Sequence, residues 1–383
     1  MSVEPFTIAV PNPVIEDLHR RLVATRWPDE IENEDWPYGT NRAYLQELCG
    51  YWRKDFDWRR QEKQLNSLHH FRTAIDGLRI HVVHERGKGT KPMPLILTHG
   101  WPSTFFEMTK LIPLLTDPAA HGGDAADAFD VVVPSLPGYA FSEAAPRGGV
   151  TTFMIAQMWQ KLMTDVLGYR RYAAHGGDIG SGVTAWIGFQ FPRSVRGIHV
   201  TAVRKPYIGD GTPPLSEAER KYVRYGEEWM AEEGGYDHIQ GTRPQTLGYG
   251  LNDSPAGLAA WIVEKYRAWS DCGGNVETRF TKDELLTNIM LYWATQTINS
   301  ANRLYYEHRR HGQHFQKGER IVVPCGVCLT VEPVDRAPRE WADRAYNVQR
   351  FTELDRGGHF LALEEPELLA RDIREFFRPL RDS

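Results

Sequence analysis

Four short apolar runs, separated by stretches of a different pattern, constrain this chain most. They are "MPLILTHG", "FDVVVPSLPG", "RYAAHGG" and "VRGIHVTAV". Each is short and almost wholly apolar, as expected of a strand buried on both faces. Between them, "TFFEMTKLIPLL", "TFMIAQMWQKLMTDVLG" and "SGVTAWIGFQFP" read as helices. Strand, helix, strand, helix predicts an α/β fold, a mostly parallel central sheet with helices on both faces. A hairpin precedes it in "FRTAIDGLRIHVVHE", turning at Asp76-Gly77.

The alternation does not span the whole chain. "NPVIEDLHRRLVATRW" predicts an amphipathic helix with Asn12 as N-cap, Pro13 at the first helical position, and Val14, Leu18 and Leu22 on one face. "NRAYLQELCGYWRKDFDWRRQEKQLN" reads as further helix. Residues 1–70 are therefore expected to form an accessory segment whose scattered aromatics pack on another part of the chain. Residues 71–204 form the first part of the core. From 205 to 318 the pattern is helical, in "SEAERKYVRYGEEWMAEEGGY", "SPAGLAAWIVEKYRAW" and "TKDELLTNIMLYWATQTINSANRLYYEHRR". Such an insertion suits a lid over the sheet's active edge. Residues 319–383 return to the core, with strands in "ERIVVPCGVCLTVEP" and "NVQRFTELD". "EPELLARDIREFF" closes the chain as an amphipathic helix, with Leu368, Leu369, Ile373 and Phe376 on one side.

Composition removes several function classes. The net charge is −5 over 383 residues, so no basic footprint for a nucleic-acid partner is expected. No run of about eighteen apolar residues marks a membrane span or anchor. "MSVEPFTIAVPNP" lacks the pattern of a signal peptide, so a cytoplasmic location is expected. Cys325 and Cys328 lie in "PCGVC" with no second pair to complete a zinc site, and inside a β-branched run. They read as structural.

In open parallel sheets, chemistry gathers beyond the carboxyl ends of the strands. Four such ends carry unusual residues here: "THGWP", "HGGDIGSG", "VEPVDRAP" and "LDRGGHF". Gly176-Gly177-Asp178-Ile179-Gly180 fits the G-x-S-x-G nucleophile elbow with aspartate in place of serine. The order Asp178, Asp335, His359 matches the nucleophile-acid-histidine order of α/β-hydrolases. A blander reading makes Asp178 a helix cap. Glu332 and Asp355 lie near Asp335 in sequence, but Asp335 sits beyond the strand end, past Pro333.

"HGWP", "SLPGYAFS", "HGGDIGS", "NDSPAGLAAWIVEK", "LLTNIMLYW" and "RGGHFLALEEPELLARDIREF" together resemble the epoxide hydrolases of the microsomal type. The resemblance covers nearly the whole chain. It implies an α/β-hydrolase fold with a helical lid and hydrolysis of an epoxide to a vicinal diol. It also implies two lid tyrosines that donate to the epoxide oxygen, at Tyr236 and Tyr305. Tyr306 is adjacent, but the family places the tyrosine before a variable residue and then glutamate, which selects Tyr305. Two departures stand out. Membrane-bound relatives carry an N-terminal anchor not seen here, so a soluble member is expected. The residue after the nucleophile, often tryptophan in relatives, is Ile179.

The chemistry suits these residues. A carboxylate can attack an epoxide carbon and form an ester, splitting one hard hydrolysis into two steps. His359 would then activate water, with Asp335 stabilising the imidazolium. The backbone N–H groups of Trp101 and Ile179 would hold the oxyanion. His99, Gly100 and Pro102 would support that loop. Neither a metal nor an organic cofactor is required by this route. The expected partners are water and a small epoxide, apolar or aryl given the aromatic lid, with a homodimer as the expected assembly. A haloalkane dehalogenase also uses an aspartate nucleophile, but Ile179 offers no side-chain donor to a halide. A non-catalytic carrier on this fold would be expected to lose part of the constellation.

Overall fold

The computed structural model describes residues 3–381. Among them one sheet contains β1 (Val3–Pro5), β2 (His70–Ile75), β3 (Leu78–Glu85), β4 (Met93–Thr98), β5 (Phe129–Pro134), β6 (Tyr172–Gly176), β7 (Val195–Val200), β8 (Pro324–Leu329) and β9 (Asn347–Glu353). The order across it is β1-β2-β3-β5-β4-β6-β7-β8-β9. β1, β2, β3 and β5 pair antiparallel, and from β5 to β9 every pairing is parallel. Every residue of β5 and β6 is buried, which is why both read as unbroken apolar runs. The Asp76-Gly77 turn has positive φ at both positions, the geometry of a tight hairpin.

Three helices precede the hairpin: α1 (Asn12–Val23), α2 (Arg42–Lys54) and α3 (Trp58–Leu65). Asn12 is not the N-cap of α1. Pro11 takes that place in extended conformation, and Pro13 moves to the second helical position. Asn12 has another partner, because its side-chain oxygen accepts from Arg59 on α3. The single helix expected after Asn41 breaks in two because Asp57 caps α3, accepting from the Arg60 N–H at 3.0 Å.

"TFFEMTKLIPLL" also breaks, into a 3₁₀ turn at Phe105–Met108 and α4 (Leu111–Thr116). Pro113 explains it. Its ring would clash with the Thr109 carbonyl in a continuous helix, but it is tolerated in a first turn. α5 (Thr152–Lys161) ends in a wider π-helical turn at Leu162–Val166. α6 (Ile179–Gln190) follows β6 directly.

Six helices lie between β7 and β8: α7 (Glu217–Glu232), α8 (Gly235–Thr242), α9 (Pro244–Asp253), α10 (Pro255–Trp269), α11 (Lys282–Thr295) and α12 (Ile298–His311). The sequence pattern missed α8 and α9, whose glycines and proline break the periodicity. The last helices are α13 (Arg339–Asp343), α14 (Leu361–Glu364) and α15 (Pro366–Phe377). α4 and α15 pack together on one face of the sheet, and α5 and α6 on the other. No helix among the described residues is long and apolar enough to cross a membrane.

The N-terminal helices pack on the outside of the interstrand helices. Arg21 reaches the Asp253 carboxylate at 2.6 Å, Thr40 the Ala260 carbonyl at 2.8 Å, and Tyr51 the Asp283 carboxylate at 3.0 Å. The chain before α1 is clamped as well. Asn66 bonds both the N–H and the carbonyl of Ile8, at 2.9 and 2.8 Å.

Beneath the sheet's carboxyl edge runs a buried polar chain. His175 Nδ1 on β6 lies 2.9 Å from His199 Nδ1 on β7. His199 Nε2 lies 2.9 Å from Asp372 Oδ2 on α15. Asp372 Oδ1 accepts from Arg350 and Thr352 on β9, each at 2.7 Å. Asp372 thus ties α15 to two strands and leaves Arg350 half-unpartnered if removed. We predict that Asp372→Ala lowers unfolding free energy by about 3–5 kcal/mol, measured by urea denaturation. A loss within about 0.5 kcal/mol, the range of an ordinary surface substitution, would rule out a structural role for this chain.

Candidate active site

β6 ends at Gly176 and α6 starts at Ile179. Between them Asp178 holds φ 49° and ψ −125°, outside the regions comfortable for a residue with a side chain. The turn survives because its neighbours give it room. A Cβ at Gly180 would overlap the Thr98 carbonyl, and one at Gly100 would overlap the Asp178 carboxylate itself. The loop after β4 can therefore lie directly against the turn. There the Trp101 N–H donates to Asp178 Oδ1 at 2.8 Å, and the Ile179 N–H bonds the same carboxylate.

The other carboxylate oxygen faces His359. His359 Nε2 lies 3.6 Å from Asp178 Oδ2, and Nδ1 lies 3.3 Å from Asp335 Oδ2. Asp335 closes a one-turn helix, Pro333–Asp335, just beyond β8. Of the three acids near that strand end in sequence, Asp335 is the one bonded to the imidazole. Asp355 is exposed, and Glu332 acts on the ring only through its charge.

The histidine loop is held from two sides. The His359 N–H donates to the Trp269 carbonyl at the end of α10, at 2.8 Å. The Glu364 carboxylate accepts from the N–H groups of Asp271, Gly358 and Phe360 at 2.8–2.9 Å.

Charge in this site is strongly coupled. Desolvation raises Asp178 above the usual carboxylate range, opposed by His359 and by the Ile179 and Trp101 N–H groups. Burial alone would push His359 down. The Asp335 hydrogen bond and the charges of Asp335, Asp178 and Glu107 outweigh it and raise the ring to about 10.

Tyr236 on α8 and Tyr305 on α12 face the same cavity as Asp178, which encloses about 660 Å³. Their rings lie 5.9 Å apart, and Trp101 packs against both, at 5.1 and 5.8 Å. Burial, with the charge of Asp178 nearby, raises both phenols well above their ordinary range. Both therefore stay protonated and able to donate. Tyr306 lies elsewhere, under the Arg310 guanidinium at 3.6 Å.

His99 is buried and lies outside this constellation. Its Nδ1 lies 3.0 Å from the Gly100 carbonyl, and its Nε2 accepts from the Leu136 N–H at 3.2 Å. Burial holds it down at about 4, so it stays neutral. The Trp101-Pro102 peptide bond is cis. Two groups on α11 secure this loop: Asn288 donates to the Pro102 carbonyl at 2.8 Å and Tyr292 to the Ser103 carbonyl at 2.7 Å.

Sequence reasoning missed Glu107. It is buried, bonded to Ser103 and to the Gly100 backbone, and within electrostatic reach of His359 and Asp178. Burial raises its carboxyl to about 7. A signal was present, a lone carboxylate in the otherwise apolar "TFFEM" just past Pro102. The Asn302 side chain, which accepts from the Trp101 indole at 3.1 Å, gave no such signal.

The sheet order, the elbow after β6 and the cover of helices define an α/β-hydrolase, and a family model for that fold matches residues 93–233. A second model, for the epoxide hydrolase N terminus, matches residues 3–108. Epoxide hydrolase 1 of Oryctolagus cuniculus is 38% identical over 98% of this chain and 88% of its own. The crystal structure of juvenile hormone epoxide hydrolase from Bombyx mori superposes with a TM-score of 0.88 at 30% identity, covering 100% of this chain and 95% of that one. The epoxide hydrolase of Aspergillus niger gives 0.86 at 31% identity, over 99% and 97%. The chain belongs to the epoxide hydrolase family, and it is a hydrolase.

The raised His359 ring stabilises the fold fully below about 6.5, and that contribution is lost as pH climbs through about 10. Asp335→Asn removes the main partner that holds the proton. The His359 titration midpoint, read by NMR of the ring, should fall well below about 10. An unchanged midpoint would mean that Asp335 does not set the charge on His359.

Proposed function

We propose that Asp178 opens the epoxide ring and forms a covalent ester, which water activated by His359 then clears. The observation that carries this reading is the division of labour on one carboxylate. Oδ1 accepts from the Trp101 N–H, while Oδ2 is turned toward His359. In the first step Oδ2 attacks a ring carbon and the C–O bond to the epoxide oxygen breaks. Tyr236 and Tyr305 donate to that oxygen as it becomes an alkoxide. The proton it needs comes by way of a tyrosine from the charged His359. His359 is left neutral and able to act as base.

In the second step His359 takes a proton from water, which attacks the ester carbonyl. Negative charge develops on the oxygen that already accepts from the Trp101 N–H, with the Ile179 N–H on the same carboxylate. Asp335 stabilises the imidazolium while this happens. Collapse breaks the ester C–O bond, and the proton of the added hydroxyl passes to the departing oxygen, which returns the carboxylate and the diol. No proton is released overall, because His359 regains from water the proton it gave in the first step. The ledger closes at the starting state.

Ile179, Met230 and Leu304 line the same cavity, which supports an apolar or aryl epoxide as substrate. A haloalkane dehalogenase is the weaker reading, because Ile179 has no N–H in its side chain for a departing halide.

Asp178→Asn should abolish diol formation from styrene oxide. Single turnover in ¹⁸O water should place label in the Asp178 carboxylate, read by peptide mass. Full turnover by Asp178→Ala, or no label in that peptide, would overturn the ester route. Replacing Tyr236 or Tyr305 by Phe should lower the rate of ester formation by on the order of 10²-fold, and the double variant by more. Stopped-flow measurement of the first step checks this, and an unaltered double variant would remove the tyrosines from the mechanism.

A further inference from the structure

The cavity that reaches Asp178 also reaches a cation with no counter-charge. Arg204 follows β7 and lines the cavity together with Gly182 and His308. Its Nη2 donates to the Gln313 carbonyl at 2.8 Å, and its guanidinium lies 4.7 Å from the Trp186 ring centre. Its Nε is buried with no hydrogen-bond partner. No carboxylate among the described residues forms an ion pair with it, and desolvation holds its pKa below the usual range.

The neighbours of Arg204 deepen the imbalance. His308 is held at about 4 by burial and by the adjacent Arg204 and His314, so its ring is neutral. Its ring centre lies 6.4 Å from that of His314. The other cation on the cavity wall, Arg309, has a carboxylate within electrostatic reach, Asp237, whose pKa burial raises and the Arg309 charge opposes. Arg204 alone is left unbalanced. A desolvated charge without a partner is costly, and a guanidinium facing a cavity is well shaped for a carboxylate.

Arg204 lies close against the start of α6 at Gly182. A Cβ on Gly182 would stand 3.2 Å from Arg204 Nη1. Gly182 lies in the first turn of α6, four residues after Asp178 in the chain, and lines the same cavity. The glycine leaves Nη1 room at a point where both residues line the cavity.

We infer that Arg204 anchors a carboxylate on the substrate, so that this enzyme acts on an epoxide carrying an acid group at the end remote from the ring carbon attacked. The inference rests on reading the Asp178 cavity as the substrate site. An aryl or short apolar linker would lie between the two ends, against Ile179 and Leu304. His308, neutral and beside the guanidinium, supplies a second hydrogen-bonding group at the anchored end.

The test separates this anchor from the chemistry. Binding of 4-ethylbenzoate and 4-ethylbenzamide, which have the same shape and no epoxide, is measured by calorimetry on the wild-type protein near neutral pH. The acid should bind at least about tenfold more tightly, as a charge-assisted pair would give. Arg204→Met should erase that preference, and Arg204→Lys should keep part of it. Equal affinity in the wild-type protein would overturn the anchor without recourse to any variant. So would a preference that survives in Arg204→Met, since Arg309 would then be its source. Turnover of styrene oxide in the same wild-type preparation tests the epoxide hydrolysis reading separately, because the binding comparison does not depend on catalysis.

Discussion

Everything else in the site depends on the unfavourable backbone at Asp178. A residue in such a conformation costs about 1–3 kcal/mol and persists only where its surroundings over-determine it. Here β6 is buried at every residue and paired on both edges, so the chain entering the turn cannot shift. On the exit side Ser181 bonds the Gly176 carbonyl at 2.7 Å and receives the Ala202 N–H at 3.2 Å, bracing the turn against the end of β7. The result is a carboxylate presented above the sheet with its oxygens in different environments. A helix-capping aspartate would have turned its side chain back onto the helix. Asp178 makes no such cap bond.

The charges around that carboxylate follow from the same crowding. Asp178, Asp335, Glu107 and Glu332 all bear on one imidazole. Burial should discharge the ring, yet so many acids favour its charged form. Burial also raises Glu107 and Glu332 to about 7, so near neutrality each is partly protonated. On the proposed pathway, esterification removes the charge of Asp178. One of the influences that keep the proton on His359 then disappears at the moment a base is needed. The acid-rich setting does not conflict with a histidine base, because the reaction itself changes the setting.

The parts of this arrangement were unequally legible in the sequence. Strand positions were readable because burial on both faces leaves no polar residue to confuse the period. The elbow was readable because its steric demand falls on adjacent residues, Gly176 to Gly180. Asp335 was harder, since three acids near one strand end look alike until the fold points one of them at the ring. Glu107 and Arg204 were missed for a related reason. Their meaning lies in what surrounds them in space, a histidine in one case and an absence of acids in the other. The helix starts failed where local partners intervened. Arg59 occupied the Asn12 side chain, and Pro113 split a helix that its apolar residues had suggested.

The covering helices are better described as a second wall of the site than as a hinged flap. α11 holds the loop after β4 through Asn288 and Tyr292, and the end of α10 holds the His359 loop through the Trp269 carbonyl. Both helices are braced from outside by the N-terminal segment, through Thr40 to Ala260 and Tyr51 to Asp283. Swinging them away as a unit would break the bonds that place His359 and Trp101, and would cost the segment its packing as well. Access to Asp178 is therefore better sought where the cavity wall carries exposed side chains. His238 on α8 and Arg309 on α12 are such residues. Between these two helices a substrate could enter while the groups that position the carboxylate and the imidazole stay in place. The N-terminal segment would then contribute to catalysis without touching a substrate, by keeping α10 and α11 still.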